Sequence, residues 1–482
     1  MALRALGVHA AELTAATPVE AAAATLAALD DPASTLRLLF VTPEKVIKSR
    51  RFFAKLEKAY KAGLLRRVAV DEAHCISQWG ADFRVDYTKL HVLKEQFPKA
   101  PLMALTATAT ADVQSSICDA LGVPGAARFQ ASVARPNLRY EVRAKPGNAT
   151  AHVDDLAALI RERYAPSASG IVYCLTRKAT EVVAAELRAR GISALAYHAQ
   201  MENDARISAH RSWAAGRTRV MCSSVAFGMG INKLDVRFVI HHSISKSVET
   251  YYQESGRAGR DGAAADCVAY FRPADFWRQA GMVFFEAAGL RRLFPLIRVV
   301  LARRQCRHAL IAAHFGEAAP ASCGTACDVC SAASPPDADA NLTAHAAALL
   351  ATARELEASD RSASCLQLVD HWRKSAASER ATLARELTPE DAELLVSHLV
   401  ILSVLRLDFA SNAFATNVYI KAGTAAPRLE AGLLSVHLPL RLAPKARSSA
   451  GAAKRKRPAG KQAAPECAAA AALCTYDDED FE

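Results

Sequence analysis

Short apolar runs alternate with helix-patterned stretches along the first part of the chain. Apolar runs at residues 36–41, 68–70 and 101–105 end in polar residues, and stretches with helical periodicity, such as 52–62, separate them. Runs of this length between helices are typical of parallel strands that are covered on both faces. Residues 1–130 are therefore predicted to form an α/β domain.

The same alternation begins again after residue 135. An amphipathic helix is predicted over 179–190, between apolar runs that are typical of buried strands. These strands are predicted at 170–174, 194–197, 218–222 and 236–241. The pattern therefore predicts a second α/β domain over 131–275, so that the fold class is α/β with two such domains in succession.

Helical patterns dominate the rest of the chain. Thr388, followed by Pro389 and two acids, is a typical helix start. The tail is rich in Ala, Lys and Ser and is expected to be disordered. The predicted segments are a helical cysteine-bearing segment at 276–332, a proline-containing linker at 333–340, a small domain of about three helices and a hairpin at 341–441, and the basic then acidic tail at 442–482.

The composition of the chain favours a polyanionic binding partner. The formal net charge is +11 and the pI is near 9.1, which favours nucleic acid, although charge alone fits many basic proteins that bind none. No apolar run approaches the ~20 residues of a membrane span, and the N-terminus has no secretory pattern. We expect a soluble, intracellular protein without membrane association.

An acidic pair follows the apolar run at 68–70. Asp71 and Glu72 would stand at the carboxyl edge of a parallel sheet, where ligands bind in such folds. An aspartate there can hold Mg²⁺, and an adjacent glutamate can activate the water that attacks a γ-phosphate. Taken alone, the pair is also compatible with an acidic helix N-terminus.

Two arginines follow in the second α/β domain. The segment 253–260 reads Gln-Glu-Ser-Gly-Arg-Ala-Gly-Arg, which places Arg257 and Arg260 three residues apart among glycines. A guanidinium that reaches a triphosphate from a second domain stabilises the charge that develops during phosphoryl transfer. An acid pair and an arginine pair on successive α/β domains therefore predict a nucleotide-hydrolysing motor.

These motifs resemble the signature of the RecQ family of DNA helicases. The segments concerned are 71–80 (Asp-Glu-Ala-His-Cys-Ile-Ser-Gln-Trp-Gly), 106–110 (Thr-Ala-Thr-Ala-Thr), 225–230 (Val-Ala-Phe-Gly-Met-Gly) and 253–260. They occur in family order and spacing, and the likeness is closest to the short branch of the family. It implies two RecA-like motor domains, a zinc-binding module and a winged helix, with ATP-dependent 3′–5′ unwinding of DNA in repair, recombination and replication.

The resemblance also implies roles for individual residues. It gives Mg²⁺ to Asp71, water activation to Glu72 and the transition-state contact to Arg260, with Arg257 nearby. The residues implied to couple nucleotide state to domain movement are His74, Thr106, Thr108, Gln253 and Gly230. The residues implied to contact DNA are Thr42, Pro43, Gln78, Trp79, Phe83, Arg84, Ser224 and Phe227. The implied cofactors are ATP, Mg²⁺ and Zn²⁺, and the implied partners are single-stranded and forked DNA, with protein partners and oligomeric state left open.

Residues 78–87 resemble the aromatic-rich loop of the family. Trp79 and Phe83 can stack on unpaired bases of any identity, at roughly 1–3 kcal/mol per base, or else pack the loop onto the sheet. This chain has Ala81 where the family usually has His, and Val85 where it usually has Pro. The missing histidine predicts looser coupling of DNA contact to ATP hydrolysis.

Four cysteines near residue 320 have the spacing of a structural zinc site, in which thiolates close a tetrahedral shell. They are Cys306, Cys323, Cys327 and Cys330. Spacing alone leaves the first ligand open, because His308 and His314 lie near Cys306 on a helix predicted over 297–315. The RecQ resemblance favours Cys306, and free or redox-active thiols are the alternative. Cys75, Cys174 and Cys222 lie singly in apolar segments and are expected to be reduced core residues.

The segment 341–441 resembles the winged helix of the family, with its hairpin over 406–420. Phe409 or Phe414 is expected either to form a wedge on the last base pair of a fork or to be a core aromatic residue. The basic run 454–457 resembles a nuclear import signal, with a solvated tail as the alternative. The nucleus is therefore the expected compartment.

One family motif does not occur in these residues. A RecQ motor needs a glycine-rich loop ending in Gly-Lys-Ser or Gly-Lys-Thr to hold the triphosphate, and the 482 residues contain no such run. We expect the chain to open inside the first motor domain, as an incomplete version of an active helicase. A DNA-binding relative that does not hydrolyse ATP is the alternative. A zinc-containing transcription factor with a winged helix is a third, which leaves the two α/β domains unexplained.

Overall fold

The chain, described here from a computed structural model, divides into two compact units. The first is Met1–Phe271 with Phe285–Ser331, and the second is Arg272–Phe284 with Ala332–Glu482. The structure describes residues 2–15, 17–77, 82–227, 231–318, 321–332, 339–375, 378–412 and 416–439.

Lobe 1, which comprises residues 2–120 of the first unit, holds its strands in two parallel pairs. Its elements are α1 (Ala2–Ala5), β1 (Ala10–Leu13), α2 (Val19–Ala28), β2 (Leu38–Val41), α3 (Pro43–Lys48), α4 (Arg50–Lys61), β3 (Val68–Val70), a 3₁₀ turn (Ala73–Ile76), α5 (Val85–Thr88), α6 (His91–Gln96), β4 (Leu102–Ala104) and α7 (Ala111–Ala120). β1 pairs with β2, and β3 pairs with β4. The predicted strands are present, but as two separate pairs and not as one continuous sheet.

Helix α4 shows how the lobe 1 pattern folds. The Ser49 hydroxyl accepts the Phe52 amide at 3.3 Å and caps the helix. Phe52, Leu56 and Ala59, spaced by four and three residues, form the buried stripe. Phe52 and Leu56 of this stripe pack in the core that also holds the end of β3 at Val70. The core therefore holds β3 in place, and the acid pair follows directly after this strand.

Lobe 2, residues 138–271, is built on a six-stranded parallel sheet with the strand order β5-β10-β9-β6-β8-β7. Its elements are β5 (Leu138–Ala144), α8 (Ala149–Arg163), β6 (Ser169–Tyr173), α9 (Arg177–Ala189), β7 (Ala194–Tyr197), α10 (Asn203–Ala214), β8 (Val220–Ser223), β9 (Val236–His241), α11 (Val248–Ser255) and β10 (Ala265–Phe271). The four predicted strands are present within two residues of their expected bounds. The apolar pattern did not predict β5 or β10.

Edge strand β5 was missed because charged residues interrupt its apolar positions. Glu141 points to the rim of the sheet, where Arg139 and Arg163 pair with it at 3.1 and 2.6 Å. Burial raises the pKa of Glu141, but hydrogen bonding to Arg163 and the charges of Arg163, Arg139 and Arg143 outweigh it and leave this pKa lowered. A charged strand of this kind suits an edge position.

After lobe 2 the chain enters the second unit for α12 (Pro273–Val283) and returns to the first for α13 (Gly289–Leu301) and α14 (Arg307–His314). The prediction of one continuous helix over 297–315 is wrong. Ala302 is extended, and the Arg307 side chain, 1% exposed, turns back to donate to the Val299 carbonyl at 2.5 Å. This contact satisfies a carbonyl at the end of α13, so the helix ends there.

The second unit continues with helices packed around one hairpin. Its further elements are β11 (Ala340–Asn341), α15 (Thr343–Ala358), α16 (Cys365–Arg373), α17 (Ser378–Arg385), α18 (Pro389–Ile401), β12 (Leu405–Ser411), β13 (Thr416–Ala422), α19 (Ala426–Glu430) and β14 (His437–Leu438). The hairpin is confirmed, as is the helix start, where Thr388 accepts the Asp391 amide at 3.1 Å. The expected three helices are five within the described part of 341–441, and Ala340 belongs to a strand and not to the linker.

The structure does not describe most of two predicted segments, the linker and the tail. The linker residues 333–338 and the tail 442–482 lie outside the described residues. Within the part of the chain that the structure describes, no helix has both the length and the apolar character needed to cross a membrane.

Candidate nucleotide and zinc sites

The acidic pair lies in a tight turn at the carboxyl end of β3. Glu72 has φ 50°, the left-handed region that non-glycine residues rarely adopt, and its amide donates to the Asp71 carboxylate at 2.9 Å. The Ala73 amide donates to the Leu105 carbonyl at 2.9 Å, which ties the turn to the end of β4. Strained backbone of this kind persists where the surroundings fix it, as they do at ligand sites. Asp71 remains exposed and Glu72 half-exposed.

Buried His74 links the acid pair to the next strand end. Its Nδ1 atom lies 3.0 Å from the Thr106 hydroxyl and 3.4 Å from a Glu72 carboxylate oxygen. Burial is the main influence on His74 and lowers its pKa, although the negative charges of Glu72 and Asp82 oppose this. The Thr106 hydroxyl also accepts the amide of buried Thr108 at 3.2 Å. The structure therefore brings together three of the predicted coupling residues.

The loop after the acid pair is closed by a backbone hydrogen bond, from the Arg84 amide to the Cys75 carbonyl at 2.9 Å. Phe83 is 39% exposed and accessible to a base. The Arg84 side chain is paired with Asp82 at 2.6 and 3.1 Å, so a DNA contact by Arg84 requires that ion pair to open. The other predicted members of this loop, Gln78, Trp79 and Ala81, lie outside the described residues.

The predicted DNA contact at the start of α3 is also a helix cap. The Thr42 hydroxyl accepts the Lys45 amide at 3.4 Å, and Pro43 occupies the first helical position. Both residues are half-buried. The cap satisfies one backbone amide of the first turn of α3.

In lobe 2, the predicted DNA loop has one member in the core. The Phe227 ring is 2% exposed and packs against Trp213 at 5.2 Å and Tyr197 at 4.7 Å. Its side chain therefore anchors the loop in the core, and a DNA contact at this position stays a prediction. Ser224 is half-buried, and Gly230 lies outside the described residues.

The arginine motif is fixed to the sheet by a buried acid to which the sequence motif assigned no role. A carboxylate oxygen of Glu254 lies 2.9 Å from His241 Nε2 and accepts the Ser245 hydroxyl at 2.5 Å. Glu254 lies on α11, and His241 ends β9. Glu254 stands beside the predicted residue Gln253. Its burial, which only the structure shows, is what identifies it as a positioning residue.

Arg257 is buried and Arg260 is exposed, and neither has an acidic partner among the described residues. Arg257 is 6% exposed and its Nε has no hydrogen-bond partner, while Arg260 donates to the Ile231 carbonyl at 2.6 Å. Burial lowers the pKa of Arg260, as do the positive charges of Arg257 and Arg135. Within the described residues no carboxylate pairs with either arginine. A buried cation such as Arg257 is stabilised by an anionic ligand.

The turn between the arginines and β10 is held by the first residues of lobe 2. Asn137 donates to the Gly259 and Ala263 carbonyls at 2.9 and 3.0 Å, and Arg135 donates to the Gly259 carbonyl at 2.9 Å. Gly259 has φ +55°, and a Cβ there would lie 2.5 Å from the Asn137 amide nitrogen. The local structure thus requires glycine. Arg135 and Asn137 are positioning residues that the motif alone did not reveal.

The acid pair and the arginine pair do not touch. In the described part of the chain, no ion pair or hydrogen bond joins Asp71 or Glu72 to Arg257 or Arg260. The nucleotide that would bridge the two motifs stays a prediction, as do the roles of the individual residues.

The four predicted zinc ligands meet in one cluster. Their sulfur atoms all lie within 4.8 Å of one another, and a tetrahedral Zn²⁺ with bonds of ~2.3 Å places its sulfurs about 3.8 Å apart, so the donors fit this metal. Burial raises the pKa of Cys323 and Cys327. At Cys330 hydrogen bonds from Ser322 and from the Cys323 backbone outweigh burial and lower the pKa to about 7, which favours a thiolate.

Both candidate histidines for the metal are engaged elsewhere. His308 Nε2 lies 3.0 Å from the Leu138 and Ala326 carbonyls, and His314 Nε2 lies 2.7 Å from a Glu249 carboxylate oxygen. The structure therefore places Cys306, and not a histidine, with the other three thiols.

The cysteine loop extends the edge of the lobe 2 sheet. The Tyr140 amide on β5 donates to the Ala326 carbonyl at 3.0 Å, and the Asp328 amide donates to the Tyr140 carbonyl at 2.9 Å. Tyr140 forms a parallel bridge with the ligand Cys327. The Asp328 carboxylate also pairs with Arg307, whose Nε lies at 2.5 Å. The zinc module is thus part of the lobe 2 fold.

In the second unit, the predicted wedge residue Phe409 stacks on Phe284, with ring centroids 4.1 Å apart and an angle of 15° between the planes. Phe409 lies on β12, two residues before the strand ends at Ser411. The packing role that the sequence left open is therefore present. Phe414 lies outside the described residues.

Three stretches of the chain match family models of known proteins. Residues 4–116 match the DEAD/DEAH box helicase family model, 151–262 the helicase conserved C-terminal domain, and 275–331 the RecQ zinc-binding family. Two RecA-like helicase domains followed by a zinc-binding domain define a helicase architecture.

Similar proteins of known name show which family of helicases this is. The chain is 44% identical over 438 residues to ATP-dependent DNA helicase Q-like 2 of Arabidopsis thaliana, covering 91% of this chain and 61% of that protein. It is 43% identical over 433 residues to ATP-dependent DNA helicase Q1 of Rattus norvegicus, covering 89% of this chain and 69% of that protein. The chain belongs to the RecQ family of helicases, as predicted. It spans about two thirds of the length of these relatives.

Solved helicase structures match less closely. The Mycobacterium smegmatis helicase Lhr bound to ssDNA and AMP-PNP matches with a TM-score of 0.44 and 17% identity, covering 87% of this chain and 48% of that chain.

Proposed function

We propose that the chain is the motor and zinc-binding part of an ATP-dependent DNA helicase that moves 3′ to 5′ on single-stranded DNA. The observation that carries the proposal is its 43–44% identity, over 88–91% of its length, to proteins named ATP-dependent DNA helicases. The acid and arginine motifs both lie within the matched helicase domains. Action on forked DNA in repair, recombination and replication, inside the nucleus, is part of the proposal.

The geometry of lobe 1 supports a hydrolytic role for the acid pair. Exposed Asp71 would hold Mg²⁺, and half-exposed Glu72 would orient and deprotonate the attacking water. Bound Mg²⁺ would neutralise charge on the β- and γ-phosphates. His74 would transmit changes at Glu72 to the loop at Thr106 through the contacts it makes with both. Gln253 and Gly230 are proposed for the same coupling from lobe 2.

The arginine pair supplies the opposite charge. Arg257 is buried and Arg260 is exposed, and neither has a carboxylate partner among the described residues. A γ-phosphate that carries developing negative charge would pair with both arginines. Because the turn at Gly259 is fixed, the arginines would not have to be reoriented during the reaction.

The proposed DNA contacts are independent of base sequence. Exposed Phe83 and neighbouring Trp79 would stack on bases, while Thr42, Pro43, Arg84 and Ser224 would meet the backbone. In the second unit, helices and a hairpin that carries Phe409 suit a winged helix, which would meet the duplex at a fork. Zn²⁺ in the four-cysteine cluster would be structural.

Binding and unwinding assays test this proposal. Fluorescence anisotropy should show tighter binding to forks and single strands than to blunt duplexes, without dependence on base sequence and with strong weakening by salt. A preparation of the protein that unwinds DNA should open duplexes with a 3′ single-stranded tail but not those with a 5′ tail. Preference for one duplex sequence would instead identify a transcription factor and overturn the proposal.

One observation favours a second candidate function. A DNA-binding protein that does not hydrolyse ATP fits the lack of any Gly-Lys-Ser or Gly-Lys-Thr run in the 482 residues. ATP-driven unwinding needs a phosphate-binding loop of this kind, in this chain or in another. ATP-driven unwinding by these residues would exclude this candidate, whereas DNA binding without ATP turnover is expected both of it and of an incomplete helicase.

A further inference from the structure

One short helix joins the arginine motif to the zinc module. Helix α11 leads directly into Arg257 and Arg260. From one side, Glu254 holds α11 to the sheet. From the other, Glu249 in the first turn of α11 reaches the zinc module. The placement of the arginines thus depends on contacts at both sides of this helix.

The contact with the zinc module is short and largely buried. Glu249 Oε1 lies 2.7 Å from Nε2 of His314, and the two side chains are 6% and 16% exposed. Burial raises the pKa of Glu249, but the hydrogen bond and charge of His314 outweigh it and leave the pKa lowered. Hydrogen bonds to charged groups are among the stronger ones in proteins, so this contact is well placed to fix one helix against the other.

His314 stands at the far end of a helix that begins at a metal ligand. Cys306 is the N-cap of α14, and His314 is its last residue. An eight-residue helix spans about 12 Å and is rigid over that length, so a displacement of Cys306 is carried to His314. The next residue, Phe315, packs against Tyr252 of α11 with ring centroids 5.2 Å apart.

We propose that Glu249 and His314 are positioning residues that make the placement of the arginine pair depend on occupancy of the four-cysteine site. A shared metal ion holds Cys306 to the other three cysteines and so fixes the start of α14. Without it, α14 loses that anchor, the Glu249–His314 contact loosens, and α11 with its arginines becomes less ordered. The proposal rests on the proposed function only for the role of Arg257 and Arg260.

Hydrogen exchange on the full chain tests this coupling without measuring turnover, so its failure is distinguishable from failure of the proposed function. Zinc-loaded protein is compared with protein stripped by a chelator, and released zinc is measured with a metallochromic dye. Chelation should speed exchange in 307–331 and also in 250–256. The increase in 250–256 should be roughly ten- to hundredfold, the effect of losing one hydrogen bond to a charged group. Helix α9 of lobe 2 should stay protected.

Variants separate the coupling from a general loss of stability. In zinc-loaded His314→Ala, residues 250–256 should exchange as fast as in the stripped wild type and gain nothing more on chelation. Glu249→Gln keeps a hydrogen-bond acceptor but removes the charge, so residues 250–256 should exchange at a rate between those of the wild type and His314→Ala. His371→Ala, at an exposed position of α16 in the second unit, is the matched histidine control and should leave 250–256 unchanged.

Three results would overturn the proposal. Chelation could release zinc and open 307–331 while 250–256 stays protected. Zinc-loaded His314→Ala could leave 250–256 at wild-type exchange. Finally, α9 could open together with 250–256, which would indicate unfolding of the whole of lobe 2 and not transmission through one helix contact.

Discussion

His74 Nδ1 lies 3.0 Å from the hydroxyl of Thr106, across 32 residues of sequence. This contact joins the ends of two neighbouring parallel strands, β3 and β4. Since His74 also lies 3.4 Å from Glu72, one buried ring stands between the proposed water-activating acid and the loop proposed to move with nucleotide state. The stability and the pH response of lobe 1 should both depend on it.

Acid should weaken lobe 1 through His74. Burial lowers the pKa of His74 in the folded chain, whereas the unfolded value is about 6.5. Below about pH 6.5 the unfolded chain therefore binds more protons, and the free energy of unfolding falls as the pH falls towards the folded pKa. His74→Gln should reduce this slope in urea unfolding measured from about pH 7.5 to 5.5. His91→Gln, at an exposed position of α6, is the matched control, and an unchanged slope in His74→Gln would contradict the assignment.

Gly259 should tolerate no side chain. In Gly259→Ala the new Cβ would meet the Asn137 amide at 2.5 Å and the Ala263 carbonyl at 2.7 Å, in addition to the cost of φ +55°. We expect a loss of about 2–4 kcal/mol in the free energy of unfolding. Gly262→Ala is the control, because Gly262 has φ +82° but no atom within 4 Å of a Cβ, so only the backbone cost of roughly 1 kcal/mol should appear. Equal losses in thermal unfolding would refute the steric account.

One zinc ion should bind per chain. Cys327→Ser removes a fully buried ligand and should lower the zinc content measured by atomic emission, with a lower melting temperature because the cysteine loop extends the edge of the sheet. Cys118→Ser, on α7 and outside the cluster, should keep both properties. Full zinc content in Cys327→Ser would show that the four thiols are not the site.

The stack of Phe409 on Phe284 should be worth about 0.5–1.5 kcal/mol beyond simple burial. A double-mutant cycle with Phe284→Ala, Phe409→Ala and the double variant, followed by urea unfolding, measures this coupling. If Phe409 serves only packing, both single variants should impair fork unwinding or fork binding equally. A loss of fork preference in Phe409→Ala alone, with no coupling to Phe284, would instead support the wedge.

The 482 residues expressed alone should hydrolyse ATP at a negligible rate when single-stranded DNA is added. The reason is the lack of a phosphate-binding loop in this sequence. Phosphate release is the measurement. Turnover at rates typical of the family, abolished by Glu72→Gln but not by Glu95→Gln at an exposed position of α6, would contradict this expectation.

Local pattern and motif order were sufficient for the family and for most elements. Apolar periodicity located β6 to β9, and the Thr388–Pro389 pair located the start of α18. The RecQ resemblance, carried by motif order, was confirmed by relatives and by the zinc-binding match. The periodicity failed at β5, where ion pairs with Arg163 and Arg139 satisfy Glu141 at the rim of the sheet.

Contacts between distant segments required the tertiary structure. Only the tertiary structure shows that the Phe227 ring packs against Trp213 in the core. The sequence left the first zinc ligand open between a cysteine and two histidines, and only the contacts of His308 and His314 with other groups decided for Cys306. The break between α13 and α14 likewise depends on Arg307 returning to the Val299 carbonyl.

The sequence by itself determined the order of elements, the motor motifs and the four thiols, because periodicity and motif spacing are properties of neighbouring residues. Tertiary structure alone decided that His74 meets Thr106, that Glu254 fixes α11 to the sheet, and that Glu249 meets His314. These contacts arise when buried polar groups must find partners across the fold, and no local pattern specifies which partner that is.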